Sequence, residues 1–228
     1  MVNDVPAGMR RAVRATVLRR GLGVAALLVV AAYSPPVRRR CLTYGATAEE
    51  AAAALPGDDL LPRPDVVSTR AVTIGAVPSA VWPWLVQMGS GRGGAYTYDW
   101  IENLFGLDMH SADEILPQFQ RLAAGDVLPL GPDGPGMRVE ICDPETTLAF
   151  RSDDGRWVWT FHVRTNEQGT RLISRNRIAS GAAPWLHRVI QRAVIEPGSL
   201  IMERRMLRGI RDRAERGAAP VPVPARSS

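Results

Sequence analysis

Asp99, Glu102 and His110 are the side chains of this sequence best suited to acid–base chemistry. If residues 98–107 form a helix, the two acids lie three positions apart on one side of it. A fold that brings His110 to Asp99 would create a carboxylate–imidazole pair, in which the carboxylate orients the ring and raises its pKa. Alternatively, both acids are ordinary residues at the positive end of a helix dipole, and His110 is structural. The catalytic residues are therefore unknown, with these three as candidates.

Aromatic and other large side chains suggest a small-molecule pocket. Tyrosine and tryptophan combine a large apolar area with a polar tip, which is typical of pocket linings. The alternative is that the same side chains fill a solid core. The residues that we predict to contact a ligand are Trp84, Tyr96, Tyr98, Trp100, Asn103, Trp159, Phe161 and Met206.

No metal and no cofactor are expected. A single histidine among scattered carboxylates makes a poor zinc site, and Cys41 and Cys142 match no metal-binding spacing. The glycine-rich run at 89–94 follows a predicted helix instead of a strand and lacks the Lys-Ser/Thr ending of a phosphate-binding loop. The residues whose spacing alone would allow a metal site are Asp108, His110, Asp113 and Glu114.

The charge is concentrated at the N-terminus. The net charge is +5, but the first forty residues hold eight arginines against one aspartate, so the remainder is slightly acidic. Nucleic-acid binding needs a basic face that neutralises phosphates, and the body of this chain has no such excess. We therefore expect no nucleic-acid partner.

Residues 17–37 are predicted to attach the chain to a membrane. Seventeen uncharged residues lie between Arg20 and Arg38, near the lower limit for a membrane-spanning helix. We interpret the segment as a retained single-pass anchor. A cleaved signal peptide and a helix that lies at the interface or docks on the domain are the alternatives. The distribution of flanking arginines favours an extracytoplasmic domain.

Four regions follow from the pattern of the chain: a basic N-terminus with the anchor (1–40), a linker or collar (41–65), a folded domain (66–216) and a disordered tail (217–228). In the collar, Thr47 and Glu50 have the spacing of a capping box.

The folded domain is predicted to begin with a strand, continue with helices and end with a meander and a long helix. The first strand is Val66–Ile74, and helices are predicted from Pro78, over 98–107 and from Ser111. A meander follows, with one apolar face. The inward positions are predicted to be Met137, Val139, Ile141, Phe150, Trp157, Trp159 and Phe161.

The C-terminal region should be helical, with Pro197 and Gly198 interrupting it before an amphipathic helix from Leu200. Leu200, Met206 and Ile210 are expected to close the pocket.

This order of elements resembles the helix-grip fold of the START-like (SRPBCC) superfamily, which includes polyketide cyclases. Several segments of the sequence are similar to those of an actinobacterial membrane-attached group of unassigned function. The resemblance implies an α+β fold, in which a curved antiparallel sheet wraps around a long C-terminal helix and encloses a cavity. The matching phrases are YGATAEE, LPGDDL, VWPWLVQMG, GRGGAYTYDWIENLFGLDMHSADEI and MERRMLRGI.

Together, the resemblance and the residues predict a membrane-anchored protein that binds a hydrophobic small molecule or lipid. One alternative is a cyclase- or hydrolase-type enzyme that uses Asp99, Glu102 or His110. The other is a structural or interaction module without a ligand.

Overall fold

A computed structural model describes residues 20, 21, 23, 27, 34–132, 136–181 and 184–217. The α-helices are α1 (Pro35–Leu42), α2 (Ala48–Ala52), α3 (Pro78–Val86), α4 (Asp99–Leu104), α5 (Trp185–Ile190) and α6 (Glu196–Gly217). The strands are β1 (Val66–Ile74), β2 (Val127–Pro129), β3 (Gly136–Asp143), β4 (Thr147–Ser152), β5 (Trp157–Asn166) and β6 (Gly169–Ile178). Single 3₁₀ turns lie at Asp58–Leu60 and Pro117–Phe119, and a π-helical turn spans Gln191–Ile195.

One antiparallel sheet of six strands, in the order β1-β6-β5-β4-β3-β2, forms the centre of the fold. The first strand pairs with the last along its whole length, from Val66 opposite Ile178 to Ile74 opposite Thr170. The amphipathic helix α6 packs against one face of this sheet, and its buried side chains share a core with α3 and the inward side chains of the strands. The predicted α+β architecture, an antiparallel sheet with a long C-terminal helix, is therefore confirmed.

The opposite face of the sheet is also covered, which the prediction of a single apolar face did not include. The collar lies over it, with Leu55 packed against Ala71 and Ile173. The predicted capping box forms, since the Glu50 amide donates to Thr47 Oγ1 (3.1 Å) and the Thr47 amide donates to Glu50. The collar thus acts as a second layer on the sheet.

The Arg175 side chain binds the collar and holds it against this outer face. Its guanidinium donates to the backbone carbonyls of Glu50 and Ala53, both at 2.8 Å, and to Asp58 at 2.7 Å. Because the guanidinium is almost fully buried, these acceptors replace the water that it loses.

The inward assignment of Ile141 was wrong. The register of β3 against β4 shifts between Val139 and Ile141, and a bulge of one residue moves all following side chains to the other face. Ile141 consequently lies near Gly57 of the collar. Cys142 takes the inward position and packs against the core.

Two of the helix predictions need correction. No helix begins at Ser111. Its hydroxyl donates to Asp99 and accepts from the Tyr96 amide instead of capping a helix, and a 3₁₀ turn at Pro117–Phe119 follows. Pro197 and Gly198 do not interrupt the C-terminal helix. They lie in the first turn of α6, which continues without a break from the π-helical turn at Gln191–Ile195, so the helical backbone runs through both residues.

The predicted single-pass membrane localisation also needs correction. In the part of the chain that the structure describes, no helix has both the length and the apolar character needed to cross a bilayer. Most of the predicted anchor at 17–37 lies outside the described residues. Residues 35–37 of the predicted anchor form the start of α1, whose sequence PPVRRRCL contains three arginines.

Candidate ligand cavity

A cavity of about 540 Å³ lies between the sheet and helix α6, with one wall formed by α4 and the segments on either side of it. The lining is mostly apolar. It consists of Ser68, Arg70, Ala95, Thr97, Glu102, Leu107, Met109, Leu130, Trp157, Trp159, Asn176, Ile178, Ile195, Ser199, Met202, Glu203 and Met206.

Two tryptophans of β5 form the aromatic wall of the cavity. Alternate residues of a strand share a face, so Trp157 and Trp159 stack with ring centroids 6.0 Å apart. Their indole N–H groups donate within the protein, from Trp157 to Asn176 Oδ1 (2.8 Å) and from Trp159 to Ser174 Oγ (2.9 Å). With these donors satisfied, the rings offer apolar surface to the cavity.

A buried ion pair between Arg70 of β1 and Glu203 of α6 contributes part of the polar lining. Arg70 also donates to Ser199 Oγ (3.0 Å) and to the carbonyl of Cys41 (3.1 Å). Burial raises the pKa of Glu203, and the contact with Arg70 acts in the opposite direction. The Asn176 side-chain amide also donates to the Glu203 carboxylate at 3.3 Å. The carboxylate of Glu203 therefore accepts hydrogen bonds from both Arg70 and Asn176.

Glu102 supplies a different kind of polar group. Its side chain lines the cavity and is 8% exposed, yet Oε2 has no hydrogen-bond partner among the described residues, and neither has Thr97 Oγ1. Burial raises the pKa of Glu102, the nearby Thr97 hydroxyl lowers it, and the charge of Asp99 raises it further. The cavity therefore contains one carboxyl oxygen, Glu102 Oε2, that accepts no hydrogen bond from the described residues.

Two pairs of hydrogen bonds, made by Asp99 and Asn103, position the helix α4 that carries Glu102. Asp99 accepts from the Ser111 amide at 2.8 Å and from the Ser111 hydroxyl at 2.6 Å. Asn103 accepts from the Met109 amide at 2.6 Å and donates to the Met109 carbonyl at 2.9 Å. These bonds close the loop after α4 back onto the helix and hold Glu102 toward the cavity.

Of the three candidate catalytic residues, only Glu102 lines the cavity. Asp99 is occupied by Ser111, and the exposed His110 imidazole lies 3.0 Å from Asp108. The Asp99–His110 pair considered from the sequence is not present. Among the described residues, no group of three or more histidine, cysteine and acidic side chains could hold a metal ion.

The predicted ligand contacts fall into three groups. Trp159 and Met206 line the cavity. Trp84, Tyr96 and Phe161 lie in the core, where the Tyr96 hydroxyl donates to the Trp84 carbonyl at 3.0 Å.

Tyr98, Trp100 and Asn103 lie on or next to α4 but do not line the cavity. The Tyr98 ring stacks under Arg205, and Trp100 is 70% exposed. The Asn103 side chain is bonded to the backbone of Met109. The leucine and phenylalanine that end this helix, Leu104 and Phe105, are also largely exposed.

Sequence reasoning missed Arg70, Glu203, Asn176 and Ser199. A signal was present for two of them. Glu203 follows Leu200 by three positions and precedes Leu207 by four, so it lies on the apolar stripe of the helix. A charged residue on such a stripe is buried, and a buried charge needs a partner. Arg70, in the middle of an apolar strand, meets the same criterion.

Searches with this sequence match no protein-family model and no curated protein. Among solved structures, a protein from Mesorhizobium loti is 17% identical, with 68% of this chain and all of that chain covered and a TM-score of 0.40. The KanY protein is 16% identical over 66% of this chain and 97% of its own, with a TM-score of 0.45. A protein from Corynebacterium glutamicum described as Polyketide_cyc-like is 14% identical over 66% of this chain and 91% of its own, at 0.34.

These likenesses concern the fold alone. They assign no function to the chain.

Proposed function

We propose that this chain binds a hydrophobic small molecule in the cavity between the sheet and helix α6. The observation that carries the proposal is the cavity itself, about 540 Å³ in volume and lined mainly by apolar side chains. Protein interiors are close-packed, and spaces larger than a water molecule are few. A space of this size fits the range of small-molecule sites.

The free energy of binding would come mainly from burial of apolar surface. Each buried methylene group contributes about 0.8 kcal/mol. A ligand with an extended apolar body therefore gains several such increments against Trp157, Trp159, Met202 and Met206. Part of this gain offsets the loss of rotational and translational freedom on binding.

Titration with N-phenyl-1-naphthylamine tests the proposal. This neutral probe fluoresces more strongly in apolar surroundings, so we expect a saturable rise in emission with one site per chain. Met202→Trp fills the cavity, and we expect it to weaken binding by about tenfold or more, equivalent to about 1.4 kcal/mol.

The neighbouring residue supplies a matched control. Ile201 is 56% exposed and does not line the cavity, so Ile201→Trp adds the same side chain outside it. We expect Ile201→Trp to bind the probe as the unmodified protein does. Equal binding by both variants, or no saturable binding by the unmodified chain, would overturn the proposed function.

Catalysis by Glu102 on the bound molecule is a second candidate function. A buried carboxyl group with a raised pKa in a cavity is a suitable general acid or base. Mass spectrometry of the whole cell extract, after incubation with the unmodified protein or with Glu102→Gln, tests this function. A molecule that is consumed and a product that appears only with the unmodified protein would support catalysis, whereas an extract of unchanged composition would assign binding alone.

A further inference from the structure

The unsatisfied carboxyl group of Glu102 carries information about the ligand. Among the residues that the structure describes, the buried oxygen Oε2 has no hydrogen-bond partner, and neither has the hydroxyl of Thr97, which also lines the cavity. A buried polar group without a hydrogen bond destabilises a fold, and a buried charged group does so more strongly. The fold carries this cost although α4 is otherwise well bonded through Asp99 and Asn103.

The charges of the lining residues do not cancel. Arg70 and Glu203 form a pair, whereas no arginine in the described part of the chain forms an ion pair with Glu102. The arginines near α4 are engaged elsewhere: Arg205 lies over the Tyr98 ring, and Arg213 pairs with Asp113. The end of the cavity at Glu102 is therefore negative when the carboxyl group is ionised, and it offers the acceptor oxygens of Glu102 and Thr97.

We propose that the cavity selects amphiphiles with a hydrogen-bond-donating head group, a protonated amine or a hydroxyl, which binds between Glu102 and Thr97 while the apolar body packs against Trp157 and Trp159. A protonated amine satisfies both the hydrogen-bonding capacity and the charge of the carboxylate, whereas a hydroxyl satisfies only the first. A ligand carboxylate is repelled. This inference rests on the proposed function, because it assumes that the cavity is a ligand site.

Three unbranched probes of ten carbon atoms each test the head-group preference: decylamine, 1-decanol and decanoic acid, all at neutral pH. Each is used to displace N-phenyl-1-naphthylamine from the unmodified protein. Charge-assisted hydrogen bonds contribute about 1.5–3 kcal/mol, which corresponds to a preference of roughly tenfold to a hundredfold for the amine over the acid. The alcohol should fall between them.

Glu102→Gln assigns the preference to one residue. The substitution keeps the size of the side chain and an acceptor oxygen but removes the charge, so the ratio of amine to acid affinity should fall by about tenfold. Thr97→Val is the second variant, and it should weaken 1-decanol binding more than decylamine binding. Glu114→Gln makes the same chemical change on an exposed side chain and should leave the ratio unaltered.

Failure of this inference can be distinguished from failure of the proposed function. If N-phenyl-1-naphthylamine binds and Met202→Trp abolishes that binding, the cavity is a ligand site. Equal displacement by the three probes would then refute the head-group preference. Displacement that is strongest with decanoic acid would refute it as well and would assign the head group to Arg70 instead.

Discussion

Removal of the Arg70 guanidinium should be among the most damaging single changes to this fold. Arg70 is completely buried and binds the Glu203 carboxylate, the Ser199 hydroxyl and the Cys41 carbonyl. It thereby connects β1 to α6 and to the C-terminal end of α1. Arg70→Met leaves the Glu203 carboxylate buried without its cation, and such a change typically costs 3–5 kcal/mol, here about 4 kcal/mol.

Urea denaturation, followed by the far-ultraviolet circular dichroism of the sheet and helices, measures this cost as the change in the free energy of unfolding. In thermal unfolding, the same change should lower the Tm by roughly 6–20 °C, because each kcal/mol shifts the Tm of a protein of this size by about 2–4 °C. Arg211→Met is the control. Arg211 pairs with Asp212 on the surface, so its loss should cost less than about 1 kcal/mol.

The double variant Arg70→Met/Glu203→Leu separates the burial of a lone charge from the loss of the pair. Replacing both partners removes the uncompensated carboxylate, so much of the lost stability should return. The reasoning is refuted if Arg70→Met costs less than about 1 kcal/mol, or if the double variant is less stable than Arg70→Met alone.

Three further predictions concern other parts of the fold. Burial lowers the pKa of His162 to about 4; because the folded protein binds this proton less tightly than the unfolded chain, the free energy of unfolding should fall by ~3 kcal/mol between about pH 6.5 and pH 4. A chemical-denaturation series across this range should show the loss, and His162→Gln should reduce it; equal slopes would contradict the assignment. Gly209→Ala should destabilise the protein by about 1–3 kcal/mol, because its Cβ would lie 2.6 Å from the Tyr96 carbonyl oxygen. Thermal unfolding measures this change. Gly198 lies in the same helix with open space around it, so Gly198→Ala should be neutral or stabilising. Equal effects of the two substitutions would refute the packing argument. Arg175→Met should expose the collar amides to faster hydrogen exchange while those of β4 stay protected; unchanged exchange in the collar would show that other contacts hold it.

Local patterns in the sequence predicted much of the secondary structure. The strand Val66–Ile74 has the predicted bounds, and the capping box at Thr47 begins α2 as expected. Both depend on interactions between neighbouring residues or on the alternation of side chains along one strand. Such information is contained in a short stretch of sequence.

The errors arose where a distant partner decides the conformation. Ser111 has the residue type and spacing of a helix N-cap, but Asp99 binds both its amide and its hydroxyl. Ile141 alternates correctly in the sequence, but the bulge beside it depends on the pairing with β4. Neither interaction can be recognised without knowing which segments meet.

The same limit applies to the candidate site. Asp99, Glu102 and His110 lie within twelve residues of one another, and the sequence could not show that only Glu102 faces the cavity. Arg70 and Glu203 are 133 positions apart, and only the pairing of β1 with the sheet beneath α6 brings them together. The aromatic residue Trp159 was predictable because Trp157, Trp159 and Phe161 occupy alternate positions of their strand.

Methyl NMR of the methionines tests the central claim, that the cavity is a ligand site, most directly. Met109, Met202 and Met206 line the cavity, whereas Met88 and Met137 are buried in the core without lining it. On addition of N-phenyl-1-naphthylamine to methyl-labelled protein, we predict shifts for the first three signals and nearly constant positions for the other two. Saturating probe that leaves the signals of Met109, Met202 and Met206 unmoved would contradict the account.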